Sequence, residues 1–135
     1  NSAAGVVVDS KLYLVGGRTV TGGNLATFEM YEPTNKKWTK LPPMPQAQGG
    51  LAAAAIGQDL YVFGGEYFDN GGGVYKEVWK FDTVLKSWSN VSEMPSPRHG
   101  LGAVTIGKEI FIVGGATEPS GVGTSDRLVG FSLKK

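Results

Sequence analysis

The segment DLYVFGG, residues 59–65, ends a strand-like apolar run with two adjacent glycines. Nearly the same segment occurs twice more, as KLYLVGG at 11–17 and EIFIVGG at 109–115. Glycine adopts backbone angles and permits close approaches that any side chain forbids, but its flexibility costs free energy on folding. Three glycine pairs after equivalent runs therefore indicate a repeated architecture rather than three unrelated turns.

The repeat extends well beyond the glycines. The pairs lie at 16–17, 64–65 and 114–115, at intervals of 48 and 50 residues. Other segments align at the same register: YEPTNKKW (31–38) with FDTVLKSW (81–88), LPPMP (41–45) with VSEMP (91–95), and GLAAAAIGQ (50–58) with GLGAVTIGK (100–108) and, more loosely, SAAGVVVDS (2–10). Because many positions recur together, we interpret the chain as two complete units and a third unit that is shorter.

Each period predicts four short strands separated by turns, since Val, Ile, Tyr, Phe and Trp alternate with Gly, Pro, Asn and Asp clusters. Eleven strands are expected: 3–8, 11–16, 26–32, 37–41, 51–56, 59–64, 76–82, 87–91, 101–106, 109–114 and 126–133. The first two strands of each unit are apolar on consecutive residues, which favours burial on both faces. No stretch has a sustained helical period.

Four-stranded units of about 50 residues that are buried on both faces are typical of a β-propeller. In that arrangement the innermost strands crowd the axis, which explains their Ala, Gly and Val residues. The glycine pairs lie where neighbouring blades converge. The wider space between blades would be filled by the recurring aromatic residues Tyr31, Phe81, Phe131, Trp38 and Trp88.

A glycine pair after an apolar strand, then Tyr or Phe, then Trp, then Met-Pro resembles the kelch repeat, which has about 50 residues. The resemblance covers essentially the whole chain. It implies an all-β fold of kelch-type β-propeller blades, each a four-stranded antiparallel sheet, in a partial propeller of about three blades. We expect blade 1 at about 1–47, blade 2 at about 48–97 and blade 3 at about 98–135, the last without its outer strand.

Three blades are too few to close a ring, since propellers use roughly four to eight. One interpretation is that the chain is part of a longer propeller whose missing strand comes from the N-terminal end, as the kelch resemblance implies. Another is that two copies pair into a six-bladed ring as an isologous homodimer. A third is an engineered or truncated repeat chain. For this chain alone we expect self-association, because open blade faces expose apolar area.

Composition narrows the classes of partner and site. The net charge is +1 without a basic stripe, so neither nucleic acid nor a membrane surface is an expected partner. The chain has no Cys and one His, so disulfides and Cys-ligated or His-rich metal sites are not expected, and no cofactor is indicated. It contains no signal-peptide pattern and no run of 18 apolar residues, so we expect a soluble protein of unassigned compartment.

Antiparallel topology places the longest connections on one side of the propeller. We call this side the loop face; it comprises 17–26, 65–76 and 115–126, which join the second and third strands of each unit, and 42–50 and 92–100, which join one unit to the next. Long loops on a rigid scaffold commonly carry binding residues. The kelch resemblance implies the same face for partner binding, so a protein or peptide partner is expected.

The candidate binding residues on the loop face are Arg18, Tyr67, Phe68, Asp69, Arg98, His99 and Arg127. Tyr67 and Phe68 would be anchors if exposed, and would otherwise pack under their own Gly-rich loop. Arg98 is expected to be a structural hydrogen-bond donor between blades, with a ligand contact as the alternative. As the only His, His99 is expected to serve in packing or capping rather than catalysis.

No catalytic motif is present. GGG at 71–73 lacks the Lys and Ser/Thr of a phosphate-binding loop, and no nucleophile elbow surrounds a serine. A carbohydrate-active kelch propeller, similar to the sialic-acid epimerases, stays open as an alternative. It would use Arg together with loop carboxylates, namely Glu66, Asp69, Glu118 and Asp126.

Overall fold

The computed structural model describes residues 1–133, which form fifteen β-strands and no helix. Eleven strands build three antiparallel sheets. Sheet I contains β1 (Ala4–Val8), β2 (Lys11–Val15), β5 (Phe28–Glu32) and β6 (Lys37–Lys40). Sheet II contains β7 (Ala52–Ile56), β8 (Asp59–Phe63), β11 (Glu77–Asp82) and β12 (Ser87–Glu93). Sheet III contains β13 (Gly102–Ile106), β14 (Glu109–Val113) and β15 (Leu128–Ser132).

The all-β fold class and the kelch-type blades are confirmed, and all eleven expected strands are present. β12 extends two residues beyond the expected end because a bulge between Val78 and Trp79 of β11 lets it continue pairing to Glu93. Two small hairpins were not expected: β3 (Arg18–Thr19) with β4 (Gly23–Asn24), and β9 (Glu66–Tyr67) with β10 (Gly73–Val74). The expected division into blades at 47/48 and 97/98 stays a prediction. The last two residues of the expected third blade lie outside the described residues.

The three sheets stack side by side through their innermost strands, with β7 between β1 and β13. A backbone ladder follows their starts: the N–H of Gly50 donates to the Ser2 carbonyl at 3.0 Å, and that of Gly100 to the Gly50 carbonyl at 2.7 Å. These residues have φ angles of 58° (Ser2), 73° (Gly50) and 62° (Gly100). The same left-handed turn therefore recurs at each inner strand, and Ser2 adopts it without being glycine.

Interface I/II, between sheets I and II, has an aromatic centre. The buried Phe28 ring lies 4.6 Å from the Phe81 ring and 4.9 Å from the indole of Trp88. The Tyr13 ring stacks on Phe28 with ring centres 5.8 Å apart. Aromatic pairs at these separations contribute more than their buried area alone. Two of the aromatics expected between blades, Phe81 and Trp88, lie here.

Interface II/III, between sheets II and III, is built from the equivalent positions of the next pair. Phe131 packs against Tyr61 at 5.2 Å and Phe63 at 5.4 Å. The buried side chains of Ile110 and Ile112 complete this core. Tyr31 and Trp38, by contrast, pair with each other at 5.0 Å on sheet I. Trp38 is 52% exposed, so this pair lies on a face that no sheet covers within the described residues.

The glycine pairs have the physical role that the sequence indicated. Gly16 and Gly64 have φ angles of 66° and 69°, which side chains rarely adopt. A Cβ atom at Gly16 would lie 2.6 Å from the Gln48 carbonyl oxygen, and one at Gly64 would overlap that of Arg98. At both places the backbone of the next unit occupies the space that a side chain would need.

No helix of residues 1–133 has the length and apolar character needed to cross a membrane.

Candidate functional site: the loop face

The connections that form the loop face pack on one another. The backbone N–H of Met44 donates to the Ala26 carbonyl at 2.9 Å, and that of Gln48 to Leu25 at 3.1 Å. These bonds join segment 42–50 to segment 17–26. The two loop types therefore meet on one side, as the alternating strand directions predict.

Each of the first two glycine pairs leads directly into a short hairpin. In hairpin β3–β4, Arg18 pairs with Asn24, and in hairpin β9–β10, Glu66 pairs with Val74. The third connection has two isolated bridges, in which Ala116 pairs with His99 and with Thr124. Backbone pairing thus fixes the conformation of the residues that follow each glycine pair.

Glu66 is the centre of the loop face. It is 4% exposed and its carboxylate reaches three segments. One Nη of Arg18 donates to Oε1 at 2.7 Å, and the backbone N–H of Ser120 donates to Oε2 at 2.7 Å. Nε2 of His99 lies 3.4 Å from the same Oε2. The buried Glu66 carboxylate, which belongs to connection 65–76, therefore contacts residues of connections 17–26 and 115–126. It also lies near His99, in the segment before β13.

The missing side chain of Gly49 makes room for this arrangement. A Cβ there would lie 2.7 Å from Oδ1 of Asn24 and 3.0 Å from Nε of Arg18. Nδ2 of Asn24 donates to the Glu66 carbonyl at 2.7 Å, and the Glu66 N–H donates to the Gly49 carbonyl at 2.9 Å. Arg18 therefore crosses from hairpin β3–β4 over bare backbone to reach the neighbouring unit.

A cavity of about 590 Å³ opens between the two hairpins. Its lining includes Arg18, Thr19, Val20, Asn24, Ala47, Phe68, Asp69 and Tyr75. Phe68 is 57% exposed, and the guanidinium carbon of Arg18 lies 5.6 Å from the centre of its ring. A cation over an aromatic face at this distance is attracted by the ring quadrupole. The structure thus brings Arg18, Phe68 and Asp69 together at one opening.

Tyr67 and Phe68 have different environments although they are adjacent. The Tyr67 ring lies 4.9 Å from Tyr75 and covers Gly73 on its own hairpin. Burial raises the pKa of Tyr75, with the hydrogen-bonding side chain of Asn24 acting in the opposite direction. Tyr67 therefore packs under its own Gly-rich loop, whereas Phe68 is exposed as a binding anchor would be.

Arg98 is fully buried between sheets rather than on the open surface. One Nη donates to the Gly114 carbonyl at 2.5 Å and to the Arg127 carbonyl at 3.0 Å. Burial, and secondarily the charge of Arg127, lowers the pKa of the Arg98 guanidinium. Gln48 occupies the position 50 residues earlier and likewise donates to the glycine carbonyl of its unit, that of Gly64. Arg98 and Gln48 are therefore structural donors, as expected, but these acceptors belong to the donor's own unit rather than to the neighbouring blade.

His99 is also buried, and Nε2 donates to the Glu118 carbonyl at 2.8 Å. Because a carbonyl oxygen can only accept, Nε2 carries a proton. Arg127 has an exposed side chain, and its N–H donates to the Ser125 hydroxyl at 3.2 Å. His99 therefore holds the third connection through its hydrogen bond to Glu118. Arg127 precedes β15 and does not line the cavity.

Sequence reasoning did not identify the role of Glu66 or the exposed Val20. A signal for Glu66 was present: Arg18, Glu66 and Ala116 each follow a glycine pair directly, so opposite charges stand at equivalent positions of neighbouring units. Val20 had no such signal, because it lies between Gly17 and Tyr31, where the first unit is two residues shorter than the others and does not align with them in register. Within residues 1–133, no group of three His, Asp or Glu side chains is placed to hold a metal ion.

Comparison with known proteins agrees with this architecture. Residues 1–134 match the family model described as the KLHDC2/KLHL20/DRC7 Kelch-repeats domain. Alpha-scruin of Limulus polyphemus is 41% identical over 59 residues, which is 44% of this chain and 6% of that protein. The F-box/kelch-repeat protein At1g67480 of Arabidopsis thaliana is 36% identical over 58 residues, 43% of this chain and 15% of that protein. Kelch-like protein 21 of Danio rerio is 34% identical over 73 residues, 53% of this chain and 11% of that protein.

The aligned segments thus span only a small part of each of these relatives. The family model, in contrast, matches nearly every residue, and the three sheets with their glycine pairs give the same result from geometry. The chain belongs to the kelch-repeat family.

Proposed function

We propose that the chain is a protein- or peptide-binding segment that uses the loop face as its contact surface. The observation that carries this proposal is the cavity between hairpins β3–β4 and β9–β10, with an exposed Phe68 at its opening. Membership of the kelch-repeat family supports the same function.

The cavity has the composition of a contact site. Phe68 and Val20 supply apolar area, and Val20 is 94% exposed. Arg18, Asn24 and Asp69 surround that area with polar groups. Binding energy at interfaces is concentrated in a few aromatic and Arg residues surrounded by a polar rim. In this proposal Phe68 is the anchor, and Arg18 and Asp69 are the rim.

The site is organised before a partner arrives. Arg18 is held by Glu66 at 2.7 Å, so its guanidinium already supports one face of Phe68. A fixed side chain loses less conformational entropy on binding than a free one. Tyr67, Arg98 and His99 contribute by holding the hairpins and the sheet ends, and Arg127 lies at the border of the surface.

Charge indicates what kind of partner fits. The Glu66 carboxylate neutralises Arg18, and Asp69 adds a negative charge beside it. The cavity therefore offers little net attraction to an acidic cluster. An apolar or aromatic side chain flanked by polar groups is the partner chemistry that this surface supports.

A random-peptide display library provides a defined probe. Peptides enriched on the wild-type chain would be titrated against wild type, Phe68→Ala and the control Leu85→Ala, whose side chain is exposed at the β11–β12 turn. Loss of an interface anchor costs at least 1.4 kcal/mol, so Phe68→Ala should weaken binding about tenfold or more. Leu85→Ala should leave the affinity unchanged.

Two results would overturn the proposal. One is that enriched peptides bind Phe68→Ala as tightly as wild type. The other is that a monosaccharide from a panel binds saturably, as measured by chemical-shift changes in NMR spectra, and that Asp69→Asn abolishes this binding. That result would favour the carbohydrate-active alternative.

A further inference from the structure

The tip of hairpin β9–β10 is an Asn-Gly turn. Asn70 and Gly71 have φ angles of 51° and 86°, and the N–H of Gly72 donates to the Asp69 carbonyl at 2.9 Å. Positive φ at both central residues is the mark of a type I′ turn, for which Asn-Gly is a preferred pair because Asn tolerates this region better than most side chains. The geometry of the hairpin therefore accounts for this dipeptide.

The turn is open to solvent although it has a neighbour on each side. Asn70 and Gly71 are exposed, and a Cβ atom at Gly71 would have no atom within 4 Å. Arg18 of the preceding unit reaches the hairpin on one side, and Pro119 of the following unit lies close to Gly72 on the other. Both neighbouring connections are thus in place, and neither covers the turn.

The backbone amide that follows Asn70 differs from those that follow two other asparagines. The N–H groups after Asn24 and Asn35 donate to backbone carbonyls at 2.8 and 2.9 Å, and the side chains of both asparagines are hydrogen-bonded as well. The N–H of Gly71 makes no hydrogen bond within residues 1–133, and neither does the side chain of Asn70. Both groups are therefore available to each other.

This combination favours attack of the chain on its own side chain, since asparagine is among the thermolabile residues. The nitrogen of Gly71 bonds to Cγ of Asn70, the Cγ–Nδ2 bond breaks, and the amide proton leaves with Nδ2 as ammonia, which yields a succinimide ring. Water then opens the ring. Cleavage of the Cγ–N bond gives aspartate, and cleavage at the backbone carbonyl gives isoaspartate, whose main chain contains one additional carbon.

We propose that Asn70 is a site of spontaneous modification, and that its conversion to aspartate and isoaspartate alters the loop face. Asn70 follows Phe68 and Asp69, which both line the cavity. Either product places a second carboxylate next to that of Asp69. Isoaspartate also lengthens the main chain within the turn, so the hydrogen bond from Gly72 to Asp69 no longer fits. The consequence for binding rests on the proposed function, whereas the modification itself does not.

Mass spectrometry of tryptic peptides tests the modification without a partner. The chain would be incubated at neutral pH and body temperature before digestion. Peptide 41–76 contains Asn70 as its only asparagine, and peptide 19–36 contains Asn24 and Asn35 as matched controls. Peptide 41–76 should gain the mass of OH in place of NH₂ at residue 70 and become a substrate of an isoaspartyl methyltransferase. Equal rates in the two peptides, or no change in either, would overturn the proposal.

Gly71→Ala tests the succinimide route. The added methyl group has open space in the structure, but it hinders attack by the nitrogen of its own residue. Loss of the Asn70 amide should slow about tenfold or more, which corresponds to about 1.4 kcal/mol in the barrier. Gly121→Ala, at another exposed glycine with no atom within 4 Å of its Cβ position, is the control and should react at the wild-type rate. An unchanged rate in Gly71→Ala would contradict this route.

Peptide binding tests the consequence for the loop face. The isoaspartate form, isolated by ion exchange, and Asn70→Asp would be titrated with display peptides selected on the unmodified chain. The isoaspartate form should bind about tenfold more weakly, as expected for Phe68→Ala, and more weakly than Asn70→Asp because only isoaspartate lengthens the main chain. If it binds like the unmodified chain while Phe68→Ala does not, the modification leaves the site unaltered and this part of the proposal is wrong. If Phe68→Ala also binds normally, the proposed function fails instead.

Discussion

Interfaces I/II and II/III are made from equivalent positions, yet they close differently at their outer edge. In interface I/II, the indole of Trp88 packs 4.9 Å from Phe28 and donates from Nε1 to the Pro42 carbonyl at 2.9 Å. In interface II/III, Val78 stands in place of Phe28, and no counterpart of Trp88 exists among residues 1–133. A cavity of about 250 Å³ lies there, between Val78, Met94 and the Phe131 ring.

The difference teaches that an outer strand stabilises the contact with the preceding sheet as well as its own sheet. Trp88 belongs to β12 of sheet II, but its ring completes the aromatic cluster that includes Phe28 of sheet I. Where that ring is absent, a polar group is left over as well: Nη2 of Arg98 is buried without a partner among residues 1–133 and borders the cavity. Interface I/II should accordingly be the stronger contact of the two.

Replacing the central residue of each interface should give the largest effect and show the difference. Phe28→Ala removes a buried ring with three aromatic neighbours and should lower the free energy of unfolding by about 4 kcal/mol. Val78→Ala, at the equivalent position, should cost about 2 kcal/mol, because two carbon atoms rather than a whole ring are lost, and they are lost beside an existing cavity. Urea denaturation measures both, and equal costs would contradict the ranking of the interfaces.

Substitution of a paired glycine should give the second-largest loss of stability. Gly64→Ala places a methyl group on the Arg98 carbonyl oxygen at a φ of 69°, so it should cost about 3 kcal/mol. Gly57→Ala is the control, since its φ of 60° is equally unfavourable but no atom lies within 4 Å. It should cost about 1 kcal/mol. A Gly64→Ala variant no less stable than Gly57→Ala would mean that the backbone approach between units is not needed.

Alkaline titration gives the smallest effect, and the contribution of Tyr61 to it reports on interface II/III. Burial also raises the pKa of Tyr13 and Tyr75, so a variant of Tyr61 is needed to isolate that contribution. Burial, assisted by the charge of Asp59, raises the pKa of Tyr61 to about 12. A raised pKa means that the folded state resists ionisation, so the stabilisation is complete below pH 10 and is lost as the pH rises towards 12. One pKa unit corresponds to about 1.4 kcal/mol, so stability should fall by about 2 kcal/mol across this range.

Tyr61→Phe is the control for this titration. The Tyr61 hydroxyl is buried and has no hydrogen-bond partner within residues 1–133, so its removal should not lower stability at neutral pH. The variant should lose part of the decline between pH 10 and 12. An unchanged pH profile would show that Tyr61 ionises freely in the folded protein.

Most of the fold could be predicted from the sequence because the repeat averages out local ambiguity. A single DLYVF run could be a strand or a piece of buried helix, but three copies followed by glycine pairs at intervals of 48 and 50 allow one interpretation. The sequence therefore predicted correctly that Trp88 lies between two sheets and that the alanines of β7 lie in an innermost strand.

The loop face was predictable only in outline. Alternation of strand direction predicted that the long connections meet on one side, and the structure shows this for segments 17–26 and 42–50. The use of Phe68 and Arg18 for binding stays a prediction. Hairpins β3–β4 and β9–β10 were missed because strands of two residues are too short to show an apolar alternation. The role of Phe28 was missed for another reason: its counterparts are Val78 and Leu128, so no aromatic pattern recurs at that position.

Nuclear Overhauser contacts between the Trp88 indole and the Phe28 ring examine the stacking of sheets I and II most directly. With ring centres 4.9 Å apart, strong cross-peaks should link the two side chains, and the Trp88 indole should be better protected from solvent than that of Trp38. Absence of these cross-peaks, with equal solvent exposure of the two indoles, would mean that the repeats do not pack through these faces.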